Sequence, residues 1–208
     1  MNIKEYLQRF LSETELEESS LQLPDVQLDP GLIQCIMISE VPSADEMEGF
    51  YSQRMDADYV KSSLALFQDA DVQAQGVQDL LDMGIYITTA VKAPKHQYAV
   101  PTDEIVRHVP LLEKELDLFP NLKVIMLMGD VAKKAFNMIT KKRIRKNVIP
   151  SASTCKIREG AFFYGSVRVF PSYIMTGGNI LIEKSKRIMI SDDIKRMVKI
   201  LKDPADQQ

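Results

Sequence analysis

The sequence predicts one α/β domain over residues 1–208, built around a central, mostly parallel β-sheet. Three short apolar runs, at 31–38, 84–91 and 122–129, have the length of strands that are buried on both faces. Each run is followed by a helical pattern. Strand and helix in repeated alternation indicate βαβ units, which place helices on both faces of a parallel sheet. A chain of 208 residues is long enough to bury a sizeable core.

Helices and a hairpin complete the predicted elements. Apolar residues recur at helical spacing, in chain order, at 1–20, 58–69, 71–82, 103–118, 130–140 and 192–202. Ser191 is predicted to cap the last of these helices, because serine accepts hydrogen bonds from the free N–H groups of a first turn. Residues 154–158 and 161–169 predict a hairpin that turns at Glu159-Gly160.

The composition is that of an ordinary globular protein, with 45% apolar and 26% charged residues. Its two cysteines, Cys35 and Cys155, have no CxxC spacing, so we expect no disulfide framework, no cysteine-built metal or iron–sulfur site, and no cofactor. The N-terminus lacks the apolar core of a signal peptide, and no apolar run is long enough to cross a membrane. We therefore expect a cytoplasmic monomer without a membrane segment.

Charge is distributed unevenly along the chain. Residues 1–120 contain 8 Lys/Arg and 22 Asp/Glu, whereas residues 121–208 contain 18 Lys/Arg and 7 Asp/Glu. Such asymmetry favours a polyanionic partner such as DNA. The alternative is that the two halves attract each other within one fold.

The ligand site of a parallel sheet lies beyond the carboxyl ends of its strands. In this sequence four loops occupy those ends, at 39–53, 92–101, 129–131 and 170–178. Glu40 follows the first strand directly, and Pro42 then ends the regular structure. A carboxylate there can orient or deprotonate a water, although a solvated loop acid is the plainer alternative.

Aromatic and polar side chains in these loops suit a planar ligand. Phe50 and Tyr51 can stack on a ring, or they can cover the edge of the core. Thr89 ends the second strand, where a short polar side chain can bond a ligand edge. In loop 170–178, Ser172 and the backbone can donate hydrogen bonds to a phosphate.

Basic residues flank the predicted site in two clusters, KKRIRK at 141–146 and a second around Lys184. A charge run is often only a solvated face, but two clusters beside one site favour phosphate contacts. The cations expected to contact DNA are Lys92, Lys141, Lys142, Arg143, Lys184 and Lys186.

Four segments together resemble the uracil-DNA glycosylase superfamily, above all its family 4-like branch. They are IMISEVPSADE (36–46), GIYITTAVKAP (84–94), PLLEKELDLFPNLKVIMLMGDVAKKAF (110–136) and VFPSY (169–173). The resemblance covers roughly residues 30–200. It implies a three-layer α/β/α sandwich with a central four-stranded, mostly parallel sheet. It also implies an enzyme that flips a damaged base out of DNA and hydrolyses its N-glycosidic bond.

The resemblance assigns roles to individual residues. Glu40 matches the acid that handles the attacking water, and Tyr51, or else Phe50, matches the aromatic that stacks on uracil. Thr89 stands where the superfamily commonly has a base-reading Asn. Met175 lies in the loop that wedges into the duplex. The residues placed against the substrate are Ser39, Pro42, Ser43, Phe50, Tyr51, Thr89, Phe170 and Ser172.

Thr89 is a departure from the superfamily pattern that bears on activity, because a Thr hydroxyl cannot make the paired contact that an amide makes. Other departures accompany it. Ser39 and Ser43 replace glycines of the first motif. Phe170 replaces the His that stabilises the departing base, and Phe has no donor for that task. Ala93 and His108 fall where iron–sulfur members carry cysteines, so no cluster is expected.

Three hypotheses follow. In the first, the protein hydrolyses the N-glycosidic bond of a deaminated or damaged base in DNA. In the second, it keeps the pocket but binds a nucleobase, nucleotide or nucleic acid without turnover. In the third, its basic half binds an acidic partner protein.

Overall fold

The computed structural model describes residues 1–52, 54, 56–95, 97, 99–177 and 179–203. It is an α/β structure with a five-stranded sheet in the order β2-β1-β3-β5-β4. The strands are β1 (Cys35–Ser39), β2 (Ile85–Thr89), β3 (Val124–Met128), β4 (Phe162–Tyr164) and β5 (Val167–Ser172). Strands β2, β1, β3 and β5 are parallel, and β4 pairs antiparallel with β5. The predicted mostly parallel sheet is therefore confirmed, with one strand more than the four expected.

Helices cover both faces of the sheet. They are α1 (Ile3–Gln8), α2 (Asp58–Asp69), α3 (Val77–Asp82), α4 (Thr102–Leu118), α5 (Asp130–Ile144), α6 (Thr154–Ile157), α7 (Asn179–Ile182) and α8 (Lys184–Lys202). None of the helices in the described part of the chain combines the length and apolar character that a bilayer-spanning segment needs.

Because successive side chains of a strand point to opposite faces of the sheet, a hydrophobic core forms on each face. On one face, Ile36, Tyr86 and Ile125 pack against α1, α4 and α5. On the other face, Met37 and Met126 pack against α2, α3 and α8. All five residues of β1 and of β3 are buried, because helices lie on both sides of these central strands. This is a three-layer α/β/α arrangement.

Several predicted boundaries are wrong for identifiable reasons. The first helix ends at Gln8, because residues 12–20 offer only Leu16 as an apolar side chain to bury. The helix predicted over 71–82 covers only Val77–Asp82. The hairpin turns at Gly165, whose φ of +61° suits a two-residue hairpin loop, and not at Glu159-Gly160.

The last helix starts earlier than predicted. Because α8 begins at Lys184, Ser191 lies within the helix and is not its cap. Its hydroxyl instead donates a hydrogen bond of 2.8 Å to the Asp69 carbonyl at the end of α2. The same helix packs on α2 through this contact and through the ion pair of Arg187 with Asp69.

A buried ion pair joins α4 to the carboxyl end of β2. The Lys92 ammonium and the Glu115 carboxylate are in contact, and both side chains are 0% exposed. Lys92 also donates to Thr88 Oγ1 at 2.7 Å and to the Thr89 carbonyl at 2.6 Å. Glu115 accepts from the Tyr86 hydroxyl at 2.6 Å. Burial lowers the pKa of Lys92, and the carboxylate of Glu115 opposes that shift.

The substitution Glu115→Gln is expected to lower the free energy of unfolding by about 3–5 kcal/mol, because it leaves a buried ammonium without its counter-charge. Urea denaturation measures the loss. The matched control is Glu13→Gln, whose carboxylate is 62% exposed and 3.7 Å from Lys114. We expect the control to lose less than about 1 kcal/mol. If the free energy of unfolding falls equally in the two variants, the claim that the buried ion pair stabilises the fold more than an exposed one is contradicted.

Candidate functional site

A cavity of about 350 Å³ opens where β1 and β2 end, and we call it the strand-end cavity. Ser39 and Thr89 are register partners in these adjacent parallel strands, so their side chains lie side by side on one face. Their hydroxyls have no hydrogen-bond partner among the described residues. Five of the predicted site residues line the cavity, namely Ser39, Pro42, Phe50, Tyr51 and Thr89.

Tyr51 forms a rigid aromatic wall of the strand-end cavity. Its hydroxyl donates to the Ile87 carbonyl at 2.8 Å and accepts from the Ile87 N–H at 3.2 Å. Because β2 is an edge strand, Tyr51 supplies the partners that a neighbouring strand would otherwise provide. Its ring stacks on Tyr86 at a centroid distance of 6.1 Å, and Phe50 meets it edge-on at 5.3 Å. Tyr51 therefore both covers the sheet edge and lines the cavity.

Glu40 lies in an adjoining cavity of about 580 Å³, the helix-end cavity, next to the start of α5. Its Oε1 accepts a hydrogen bond of 3.1 Å from the Val131 N–H in the first turn of that helix. Gly129, at a φ of +105°, makes room for this contact, since a Cβ there would lie 2.4 Å from Oε1. The positive end of the α5 dipole also favours a carboxylate at this position.

The two cavities share a wall made of Ser39, Tyr59 and Thr176. The Tyr59 hydroxyl is hydrogen-bonded to Thr176. Burial raises the pKa of Tyr59, the charge of Glu40 adds to the shift, and the bond to Thr176 opposes it. Tyr59 was not predicted, because on α2 it resembles any helical residue. Thr176 was not singled out either, although loop 170–178 contains it.

Ser43 lies beside the strand-end cavity and is half-buried. Its carbonyl accepts a 3.1 Å hydrogen bond from the side chain of Gln22, which lines the cavity. The predicted loops also include residues 53, 96, 98 and 178, which lie outside the described residues.

Four predicted residues are buried in the protein interior and line neither cavity. Phe170 is 2% exposed in the core beneath α8, and Met175 is 1% exposed in the same core. The Ser172 hydroxyl donates to the buried Asp193 carboxylate at 2.7 Å. Lys92 is held by Glu115. The expected substrate contacts of Phe170 and Ser172, the wedge role of Met175 and the DNA contact of Lys92 are therefore corrected.

Strand pairing explains the corrections for Phe170 and Ser172, and burial explains those for Met175 and Lys92. The strand β5 continues through Pro171 to Ser172, pairing Pro171 with Leu127 of β3, so these residues belong to the sheet and not to a loop. Phe170 consequently faces α8, and the guanidinium of Arg168 lies 4.4 Å from its ring centroid. A lysine with no exposed surface, such as Lys92, does not reach a phosphate.

The predicted DNA-contacting cations differ in their surroundings. Lys142 pairs with Glu113, and Arg143 pairs with Asp117, at 2.7 Å each. These contacts join α5 to α4, so part of the charge asymmetry is satisfied within the fold. Lys186 pairs with Glu183 at 2.6 Å on the wall of the helix-end cavity. Lys184 and Lys141 are exposed.

Comparison with known proteins assigns no family to this site. No protein-family model matches the chain, and no curated protein matches it. Within the described residues, no group of three or more His, Cys, Asp or Glu side chains is placed to hold a metal ion. The groups that line the two cavities include hydroxyls, aromatic rings and the carboxylate of Glu40.

The substitution Gly129→Ala is expected to lower the free energy of unfolding by about 1–3 kcal/mol, because a methyl group at this φ is strained and collides with Glu40. Urea denaturation measures the change. The control is Gly31→Ala, where the nearest atom to a new Cβ is 3.3 Å away, in the Asp29 side chain. A Gly129→Ala variant as stable as the control would show that the Glu40 contact does not require the glycine.

Proposed function

We propose that this chain is a uracil-DNA glycosylase-like protein, which binds a base flipped out of DNA in the strand-end cavity and hydrolyses its N-glycosidic bond. One observation supports the proposal above all. Side chains from separate parts of the sequence, those of Ser39, Tyr51 and Thr89, line one cavity, and Glu40 lines the adjoining one. The volume of about 350 Å³ is within the range of small-ligand pockets.

The lining of the strand-end cavity suits a nucleobase. The rings of Phe50 and Tyr51 offer an apolar surface for a flat ring, and stacking of this kind contributes about 1–3 kcal/mol per base. The hydroxyls of Ser39 and Thr89 can each donate or accept a hydrogen bond at the polar edge of a base. Together these contacts offset the few kcal/mol that unstacking a base costs.

We assign the action on water to Glu40, which lines the adjoining helix-end cavity, although Asp25 and Glu46 line the strand-end cavity itself. In the proposed step the water oxygen bonds to the sugar carbon as the bond from that carbon to the base nitrogen breaks. The electron pair leaves with the base, and a proton of the water passes to the Glu40 carboxylate. The negative charge of Glu40 also stabilises the positive charge that develops on the sugar. The hydroxyl of Tyr59, with its raised pKa, stays protonated as a donor to the departing base.

A second candidate function is base binding without turnover, and the position of Phe170 favours it. The superfamily places a His at the matching position, whereas here the side chain is an aromatic ring buried beneath α8. Loss of a donor to a developing anion costs about 3–4 kcal/mol, or roughly 10²–10³ in rate.

Hydrolysis is tested on oligonucleotides that carry uracil, hypoxanthine or xanthine, with enzyme in excess. We expect release of at least one of these bases and a fall of about 10²–10⁴ in rate for Glu40→Gln, which can accept the Val131 N–H but no proton. The control Glu13→Gln, remote from both cavities, should match the wild type. If the wild-type protein releases none of the three bases, the hydrolytic function is contradicted.

Base binding is tested separately, by calorimetry with uracil, hypoxanthine and thymine. Thr89→Val keeps the side-chain shape but removes the hydroxyl, so we expect it to weaken binding of the preferred base by about 2–10-fold. Thr102→Val, at the exposed start of α4, is the control and should leave binding unchanged. If Thr89→Val weakens base binding and the wild-type protein releases no base, the second candidate function, binding without turnover, is supported. Equal binding by both variants would exclude the strand-end cavity as the base site.

A further inference from the structure

A third depression continues the two cavities along the exposed side of α5. Its volume is about 610 Å³, and we call it the lysine groove because Lys134 and Lys141 line it. It shares Asp130 and Ser153 with the helix-end cavity, which in turn shares a wall with the strand-end cavity. The three depressions therefore form one track that starts at the carboxyl ends of β1 and β2.

The cations of α5 fall into two groups. Lys133, Lys142 and Arg143 are neutralised by carboxylates at 2.7 Å. Lys134 and Lys141 are exposed and have no ion pair or hydrogen bond with any residue that the structure describes. The groove is thus lined by two uncompensated positive charges, while the carboxylate of Asp130 at its end is already bonded by Lys133.

The spacing of these two lysines suits a nucleic-acid strand. They are seven residues apart on one helix, so they lie on the same face and about 10 Å apart along its axis. At about 3.4 Å per nucleotide, this separation spans about three nucleotides of a strand. The far wall is held in place by Asn137, whose side chain bonds both the N–H and the carbonyl of Ile149, at 3.0 and 2.7 Å.

We propose that the lysine groove binds the phosphate backbone of the nucleic-acid strand whose base enters the strand-end cavity. This inference rests on the proposed function, since that function supplies the strand. An acidic protein segment would also meet two lysines. The continuity of the groove with a cavity that suits a flat ring favours a nucleic-acid strand over that alternative.

The test uses the full chain and a single-stranded oligonucleotide with one uracil, followed by fluorescence anisotropy between about 50 and 200 mM salt. The double variant Lys134→Gln/Lys141→Gln should bind more weakly at low salt. The slope of log K against log salt should decrease in magnitude by about 1.4, or about 0.7 for each phosphate that a lysine no longer neutralises. The control Lys142→Gln, adjacent in sequence but paired with Glu113, should keep the wild-type slope.

An unchanged slope in the double variant overturns the proposal, and so does an equal decrease in the control. Stronger competition by poly-glutamate than by an unlabelled oligonucleotide also overturns it, in favour of an acidic protein partner. A matched oligonucleotide with thymine separates this test from that of the proposed function. Equal binding of both oligonucleotides by the wild-type protein contradicts uracil recognition in the strand-end cavity, while the slope of log K against log salt decides separately whether the groove binds phosphates.

Discussion

The buried ion pair of Lys92 with Glu115 holds the carboxyl end of β2 in place, and the strand-end cavity opens at that end. It joins the end of β2 to α4 and bonds Thr88 and the Thr89 carbonyl on the interior side. Because side chains alternate along a strand, Thr88 points to the ion pair while Thr89 points to the strand-end cavity. The buried charges of Lys92 and Glu115 therefore hold the end of β2 on one face of the sheet, and Thr89 lines the strand-end cavity on the other face.

Tyr51 stabilises the same strand, β2, at the free edge of the sheet. The strand β2 has β1 on one side only, so Ile87 presents its N–H and carbonyl outwards, and Tyr51 bonds both. The aromatic ring that we assign to base stacking is thus also required for the integrity of the sheet edge. Glu40 combines two tasks in a similar way, because its carboxylate satisfies an N–H of the first turn of α5 and faces the helix-end cavity.

The sheet and the central site residues could be predicted because they follow from local patterns. Central parallel strands are buried on both faces and read as short apolar runs, and their carboxyl ends share one edge of the sheet. Ser39 and Thr89 end two such runs, so their proximity was predictable. Phe170 and Ser172 were not, because the extension of β5 depends on pairing of Pro171 with Leu127, some 44 positions away along the chain. The partner of Lys92 is likewise distant in sequence, so burial and exposure could not be told apart for this lysine.

The central claim is that a base occupies the strand-end cavity. It is tested most directly by a crystal structure of the protein with an oligonucleotide that contains one 2′-fluoro-deoxyuridine, whose glycosidic bond resists cleavage. We predict that the uracil ring lies against Tyr51 with its polar edge at Ser39 and Thr89, and that its sugar faces Glu40. A uracil stacked within the oligonucleotide, or bound elsewhere on the protein with this cavity empty, would contradict the claim.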